Sequence, residues 1–242
     1  MGGSGVFEHR ASESELLDRP DCEQPLAERS YRFMRLVNRI GGGTRVVRRF
    51  LAKEISTASV KRPVRILDLG SGCGDIPLSV ARWAAKHGRH VEFTCLEHNA
   101  GALALARQGL ASARCNTIEL TQGDLFTYRP GREYDYAVGS MVLHHFSQQE
   151  IGRLVTHLRG FVTKALLIND LQRCALNYAA CYVLTLGSDP VVRHDALLSI
   201  RRGFRSRELQ GFLETHDTTS TVGTAWFCRV VAVVRFDGGG VP

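Results

Sequence analysis

An apolar run ends beside an acid and then strings three glycines at alternate positions: Val64-Arg65-Ile66-Leu67-Asp68-Leu69-Gly70-Ser71-Gly72-Cys73-Gly74. Val64, Ile66, Leu67 and Leu69 suit a strand buried on both faces. A helical pattern begins at once with Asp75 and runs through Ala85. Strand, glycine turn and helix form the opening unit of a doubly wound α/β domain whose ligand lies over the turn. Glycines are required there because the backbone must turn tightly and come into contact with that ligand.

The alternation continues down the chain. Further strands are predicted at 91–96, 117–121, 134–139 and 165–168, with helices over 99–110 and 148–161. This rhythm implies a parallel sheet with right-handed crossovers. A helix over 206–215 and two final apolar runs, 218–223 and 227–236, predict an antiparallel hairpin that closes the sheet edge. The expected fold is therefore α/β: a doubly wound, Rossmann-like, seven-stranded and mostly parallel sheet with helices on both faces. Upstream, Leu26, Phe33, Leu36, Val37 and Ile40 recur at helical spacing, Gly41-Gly42-Gly43 breaks the pattern, and Thr44 is a candidate N-cap for a helix to Ile55. The expected organisation is a flexible N-terminus (1–21), a helical cap (22–60) and a ligand-binding domain (61–236) with a substrate lid inserted at 171–205. A flexible tail (237–242) would end the chain.

Composition bounds the environment. No apolar run approaches the ~20 residues that span a bilayer, and no basic-then-apolar leader opens the chain. Seven cysteines are scattered without zinc-ligand spacing, the pattern of a reduced, cytoplasmic protein. The net charge of +7 is uneven: residues 1–63 hold 12 basic and 8 acidic side chains, residues 64–170 hold 11 and 10. Arg45, Arg48 and Arg49 form one cluster, Arg201, Arg202, Arg205 and Arg207 another. No aromatic residues interleave with them, so a solvated face is favoured over a nucleic-acid footprint.

The glycine turn itself discriminates between ligands. A dinucleotide loop needs G-x-G-x-x-G before a bare helix N-terminus. Counted from Gly70 the third glycine position is Asp75, and from Gly72 it is Pro77. Asp75 also places a negative charge at the helix start, where it can cap backbone N–H groups but repels phosphate. A ligand with a cationic head and no phosphate fits better. Candidate contacts follow at the carboxyl ends of the strands: Asp68, then Glu97-His98-Asn99, then Gly123-Asp124-Leu125-Phe126, then Ser140, and last Met141-Val142-Leu143-His144-His145-Phe146. Glu97 can accept from ribose hydroxyls or merely cap the next helix, a task for which Asn99 is better placed. Asp124 can accept from an adenine amino group with Leu125 against the ring.

These motifs, in this order over residues 64–170, resemble class I S-adenosylmethionine-dependent methyltransferases. The resemblance implies S-adenosylmethionine as cofactor, held by Asp68, Gly70, Gly72, Gly74, Glu97, His98, Asp124, Leu125 and Ser140. Tyr31, Met34, Asn38 and Gly41–Gly43 resemble the segment that folds over the cofactor in quinone-biosynthesis methyltransferases. Asn169-Asp170-Leu171-Gln172-Arg173 and Arg193-His194-Asp195 with Ser199 resemble small-molecule methyltransferases of bacterial aromatic polyketide pathways. Where the family carries Pro-Gly-Gly before strand five, this chain has Val162-Thr163-Lys164.

The implied activity is methylation of a small, apolar, aromatic, phenolic or quinone-like molecule at O or C in secondary metabolism. Alignment of acceptor and methyl carries most of such a reaction, and a general base adds ~10²–10⁴ in rate for a weakly acidic acceptor. His144 and His145 are the candidate bases; the alternative is one histidine packed in the core and the other in solvent. Leu176, Tyr178, Tyr182, Val183 and Leu186 would line a lid, or pack against one another. No metal is expected: Asn169-Asp170 reverses the order found in catechol-type enzymes, and Ser140 stands where those carry an acid. RNA methylation, a nicotinamide-dependent oxidoreductase and a noncatalytic cofactor-binding partner are the competing readings, and the oligomeric state is left open.

Overall fold

A computed structural model describes residues 5–18, 24–55, 62–216 and 219–236. Among these, seven strands make one sheet: β1 (Val64–Leu69), β2 (Val91–Glu97), β3 (Ile118–Gln122), β4 (Tyr134–Ser140), β5 (Val162–Leu171), β6 (Thr219–Ala225) and β7 (Arg229–Arg235). Their spatial order is β3-β2-β1-β4-β5-β7-β6. Strands β1 to β5 pair in parallel, and β7 runs antiparallel to both β5 and β6. The order reverses between β1 and its neighbours β2 and β4, and a crevice opens at the carboxyl ends there.

Among the described residues eight α-helices accompany the sheet: α1 (Gln24–Ile40), α2 (Gly43–Glu54), α3 (Asp75–Lys86), α4 (Ala100–Ala113), α5 (Gln148–Leu158), α6 (Ala175–Leu184), α7 (Pro190–Arg202) and α8 (Ser206–Glu214). Side chains alternate along the central strands, so each face buries its own core. Leu67, Leu69, Leu166 and Ile168 pack against Ile151, Leu154 and Leu158 of α5 and Leu209 and Leu213 of α8. Val64, Ile66, Ala165 and Leu167 pack against Ile76, Val80 and Ala84 of α3 and Val47, Phe50 and Leu51 of α2.

The second core corrects the expected cap. Helix α2 is part of the sheet's helical layer, because its stripe of Val47, Phe50 and Leu51 is buried there. It begins at Gly43 behind Gly42 in the left-handed region, so Thr44 is not its N-cap. Only α1 lies over the crevice. The N-terminal segment also differs from expectation over its described part. Arg10 donates to the carbonyls of Arg202 (2.8 Å), His144 (2.9 Å) and Phe146 (3.0 Å). Asp195 accepts from the backbone N–H of Leu16 and Leu17, both at 2.9 Å. Residues 5–18 are a docked strap. The rest of the expected flexible terminus, residues 1–4 and 19–21, and the expected tail 237–242 lie outside the described residues, as do the outer ends of the cap at 22–23 and 56–60.

Strand β5 is longer than predicted at both ends. Val162 already pairs with Tyr134, with an irregularity in register before Tyr136, so the Val162-Thr163-Lys164 departure is strand. At the other end Asn169, Asp170 and Leu171 pair with Val231, Val230 and Arg229. Polar residues read as a strand end, yet here they are fully buried and their hydrogen bonds are made inside the protein. The insertion expected at 171–205 folds as two helices, α6 and α7.

Candidate active site

The glycine turn after β1 is held open by its neighbours. Gly70, Gly72 and Gly74 all have φ between +53° and +68°, the left-handed region that disfavours a side chain. At Gly70 the space is closed as well: an added Cβ would lie 2.6 Å from Val142 Cγ2. Glu97 at the end of β2 fixes the turn from the far side. Its Oε2 accepts from Gly72 N (2.8 Å) and its Oε1 from Asn99 N (2.8 Å), while Asn99 Oδ1 caps α4 through Ala102 N (3.0 Å). The helix-capping task thus belongs to Asn99.

The crevice has a volume of about 950 Å³ and brings together Asp68, Gly70, Gly72, Glu97, His98, Asp124, Leu125 and Ser140. Gly74 is the exception. It stands behind the turn as the N-cap position of α3 and is not in the wall. Helix α1 supplies Tyr31, Met34 and Asn38 to the opposite wall. Asn38 Nδ2 donates to Asp75 Oδ2 (3.3 Å), which ties the first residue of α3 to α1, while the N-cap position of α3 is Gly74. Asp124 Oδ1 accepts from Phe126 N (2.9 Å) and Thr127 N (3.1 Å), which shapes its loop. Ser140 Oγ accepts from Asn169 Nδ2 (2.8 Å). Burial pushes the Asp68 carboxyl up to about 7; the Ser71 hydroxyl opposes this, and Asp75 and Glu97 add to it.

A second, inner cavity adjoins the crevice. Five residues border both spaces: Glu15, Leu17, Met34, Met141 and His145. Met141 holds φ 57°, uncommon for a side-chain-bearing residue and typical of functional turns. Its N–H is anchored on Asn169 O at 3.0 Å. Beyond this partition the walls are mostly apolar, from Phe33, Val37 and Ile40 of α1, Leu171, Leu184 of α6 and Val192 of α7.

The two histidines part company. His144 is 2% exposed, with Nδ1 2.7 Å from Asp170 Oδ1 and Nε2 3.4 Å from Glu15 Oε1. Burial works against its charge, but the two carboxylates outweigh that and raise it to about 9. His144 is therefore an imidazolium near neutral pH, clamped on both nitrogens, and is not a base; this corrects one of the two candidates. His145 lines both the crevice and the cavity. Asp170 is equally committed. Besides His144 it accepts from Leu143 N (2.9 Å), His144 N (3.2 Å) and Leu171 N (2.7 Å), which leaves it no lone pair for a metal. Glu15, His144 and His145 present ligand atoms within 4.8 Å of one another, but His144 meets Glu15 there as a cation. Burial works to raise the Glu15 carboxyl, yet His144, His145 and Ser199 bring it down to about 2.

Helix α6 corrects the lid reading. Leu176, Val183 and Leu186 are 72%, 63% and 57% exposed, and Tyr178 stacks edge-on against Phe7 (5.5 Å). The inward face is Asn177, Cys181 and Leu184. Glu15 and Arg229 escaped the sequence reading. Glu15 makes its contacts with residues more than a hundred positions away. Arg229 did leave a trace, a lone cation at the start of an apolar terminal strand.

Residues 66–164 match the family model described as a methyltransferase domain. In fold the chain is similar to magnesium protoporphyrin IX methyltransferase from Synechocystis PCC 6803, solved with bound SAH. The TM-score is 0.56 at 14% identity, over 81% of this chain and 83% of that one. It is also similar to the plantazolicin methyltransferase BpumL, solved with a triazolic desmethylPZN analog and SAH (TM-score 0.67, 14% identity, 88% of this chain and 91% of that one). An O-methyltransferase family protein from Burkholderia thailandensis superposes with a TM-score of 0.63 at 15% identity, over 90% of this chain and 61% of its own. No curated protein matches the chain. The domain match over residues 66–164 and the sheet order give the chain the fold of class I methyltransferases. Among the described residues no helix is long and apolar enough to cross a membrane.

Proposed function

We propose that the crevice binds S-adenosylmethionine and that the inner cavity holds a small, apolar, aromatic or quinone-like acceptor for O- or C-methylation. The observation that carries this reading is the shared partition of Glu15, Leu17, Met34, Met141 and His145 between an acid-lined crevice and an apolar cavity. Six acids line the crevice (Glu15, Asp68, Asp75, Glu97, Asp124 and Glu150), and among the described residues no lysine or arginine does. That set of acceptors suits an ammonium and a ribose and repels phosphate, which argues against a dinucleotide and against an RNA backbone in the same groove. The cofactor contacts assigned here are Asp68, Gly70, Gly72, Glu97, His98, Asp124, Leu125 and Ser140, with Gly74 shaping the turn behind them.

When bound, S-adenosylmethionine supplies an electrophilic methyl on a sulfonium. The chain's own contribution is alignment and exclusion of water. Met141 and Met34 separate the two spaces, and His145 is the one candidate base placed to take a proton from an acceptor at the partition. The cavity encloses about 80 Å³, less than the ~150 Å³ that accommodates benzene in an engineered core. A ring-bearing acceptor thus requires a wall to move, and α6, which buries only Asn177 and Cys181, is the wall least anchored.

Calorimetry tests the reading. S-adenosylhomocysteine is expected to bind at micromolar concentration and NAD not to bind. NAD binding without S-adenosylhomocysteine binding overturns it.

A further inference from the structure

Arg229, the first residue of β7, is 1% exposed. Its Nε donates to Gly41 O at 3.3 Å, while Nη1 and Nη2 are buried with no hydrogen-bond partner. Burial lowers it only to about 10, so the guanidinium is charged at neutral pH. A buried charge without a partner costs several kcal/mol and is expected to be paired. The surrounding acids do not supply the pair. Asp170 is the nearest in electrostatic effect, but His144 and three backbone N–H groups already occupy it. Glu15 is taken by His144 and Ser199, and Asp195 by the strap backbone. Arg229 is among the residues that line the inner cavity, together with Ser30, whose hydroxyl is also buried and unpartnered, and its two unpaired nitrogens lie beneath that wall beside Gly41 and Gly43.

We infer that Arg229 is an anion anchor, and that the molecule held in the inner cavity is an amphipathic acid: an apolar body with one carboxylate. This rests on the proposed reading of that cavity as the acceptor site. Nη1 and Nη2 present two parallel donors, the fork that pairs with both oxygens of a carboxylate. Arg229 lines the inner cavity and not the crevice. The carboxylate therefore sits away from the partition and acts as a handle, and a different atom of the acceptor faces the methyl. Asn177 lies in the same wall with its amide nitrogen turned to the carbonyls of Gln172 (3.0 Å) and Cys228 (3.4 Å). Within this wall the free positive donors are Arg229's pair.

The test uses the full chain saturated with S-adenosylhomocysteine. Benzoate and phenylacetate are titrated beside benzamide and phenylacetamide, with binding read by calorimetry and thermal shift. Acids are expected to bind at least tenfold more tightly than their amides. Arg229→Gln is expected to abolish that preference and leave the S-adenosylhomocysteine affinity unchanged. The thermal midpoint separates this from a purely structural charge. If Arg229 only balances the buried Glu15–His144–Asp170 cluster, Arg229→Gln melts well below the parent, and Arg229→Lys restores both the midpoint and whatever acid preference exists. If Arg229 is the anchor, Arg229→Lys keeps the midpoint but loses the tenfold preference. Equal binding of acids and amides to the parent, or no acid binding at all, overturns the inference even if neither variant folds. Failure of S-adenosylhomocysteine to bind in the first step instead overturns the reading of the crevice.

Discussion

Asp68 is the residue whose chemistry changes most if a cationic ligand arrives. It is 3% exposed at the end of β1, and burial, with Asp75 and Glu97 nearby, raises it to about 7. In the empty protein it is therefore about half protonated at pH 7. An ammonium placed beside it favours the ionised form, so binding must release a proton. Affinity for S-adenosylmethionine is expected to rise between pH 6 and 8. The binding enthalpy at pH 7 should vary with the ionisation heat of the buffer, as about half a proton leaves. Asp68→Asn should remove both dependences. A flat affinity profile in the parent shows that Asp68 does not meet the ligand's charge. The same shift acts on folding with a definite sign. A carboxyl raised from 3.8 to about 7 binds its proton more tightly when folded, so this group's contribution to stability falls as pH rises across that interval.

The strap, residues 5–18, behaves as an element although it has little regular structure. Arg10 of the strap donates to the carbonyls of Arg202 and His144, and from the body Arg173 donates to the strap carbonyls of Phe7 and Glu8 and Arg202 to that of Glu13. The clamp at its end is His144 between Glu15 and Asp170; His145, the carbonyl-bound Arg10 and Arg202, and Arg229 on the far side of Asp170 are further charged or titratable groups that face it. With its pKa raised from 6.5 to about 9, His144 contributes stability that is complete below about 6.5 and lost as pH rises through about 9. The shift corresponds to something on the order of 3 kcal/mol. The thermal midpoint of the parent should fall across this window and that of His144→Gln should not; parallel curves for the two proteins would sink the assignment. None of this was legible in the sequence, because the clamp joins positions far apart along the chain. What was legible is local. The apolar run of β1, the glycines after it and the acid at the end of β2 announce themselves by spacing. The terminal hairpin was read from two successive apolar runs. Helix α2 was misplaced because its amphipathic stripe does not say which apolar surface it will meet. The role of α6 was misread for a related reason: an apolar segment suggests burial, while Leu176 and Val183 face outward.

At the scale of the whole molecule, stability and the site's closure reside in different parts of the chain. Two cores, one on each face of the sheet, contain no residue of the strap. They bury the parallel strands, α2, α3, α5, α8 and β7, and so determine whether the chain folds. The strap meets α6, α7 and the turn after β4, and α1 packs against α2, α4 and α7. Deleting residues 1–18 therefore removes Glu15 and Leu17 from the partition and Arg10 from the face of the core residue Phe204 (4.4 Å), but takes no residue out of either core. The shortened chain is expected to unfold in one cooperative transition, with a thermal midpoint about 5–15 °C lower, the range for losing a few kcal/mol from a domain of this size. S-adenosylhomocysteine should still bind within about tenfold of the parent, since the glycine turn and Glu97 hold each other independently of the strap. An apolar dye should bind more strongly, because the inner cavity loses its cover at Glu15 and Leu17. A deletion variant that cannot fold would show that the strap belongs to the core. One that folds with unchanged dye binding and midpoint would show that the strap covers nothing. Closure of the inner cavity is then a property of residues 5–18, and a substitution there is expected to alter access to it without altering the fold.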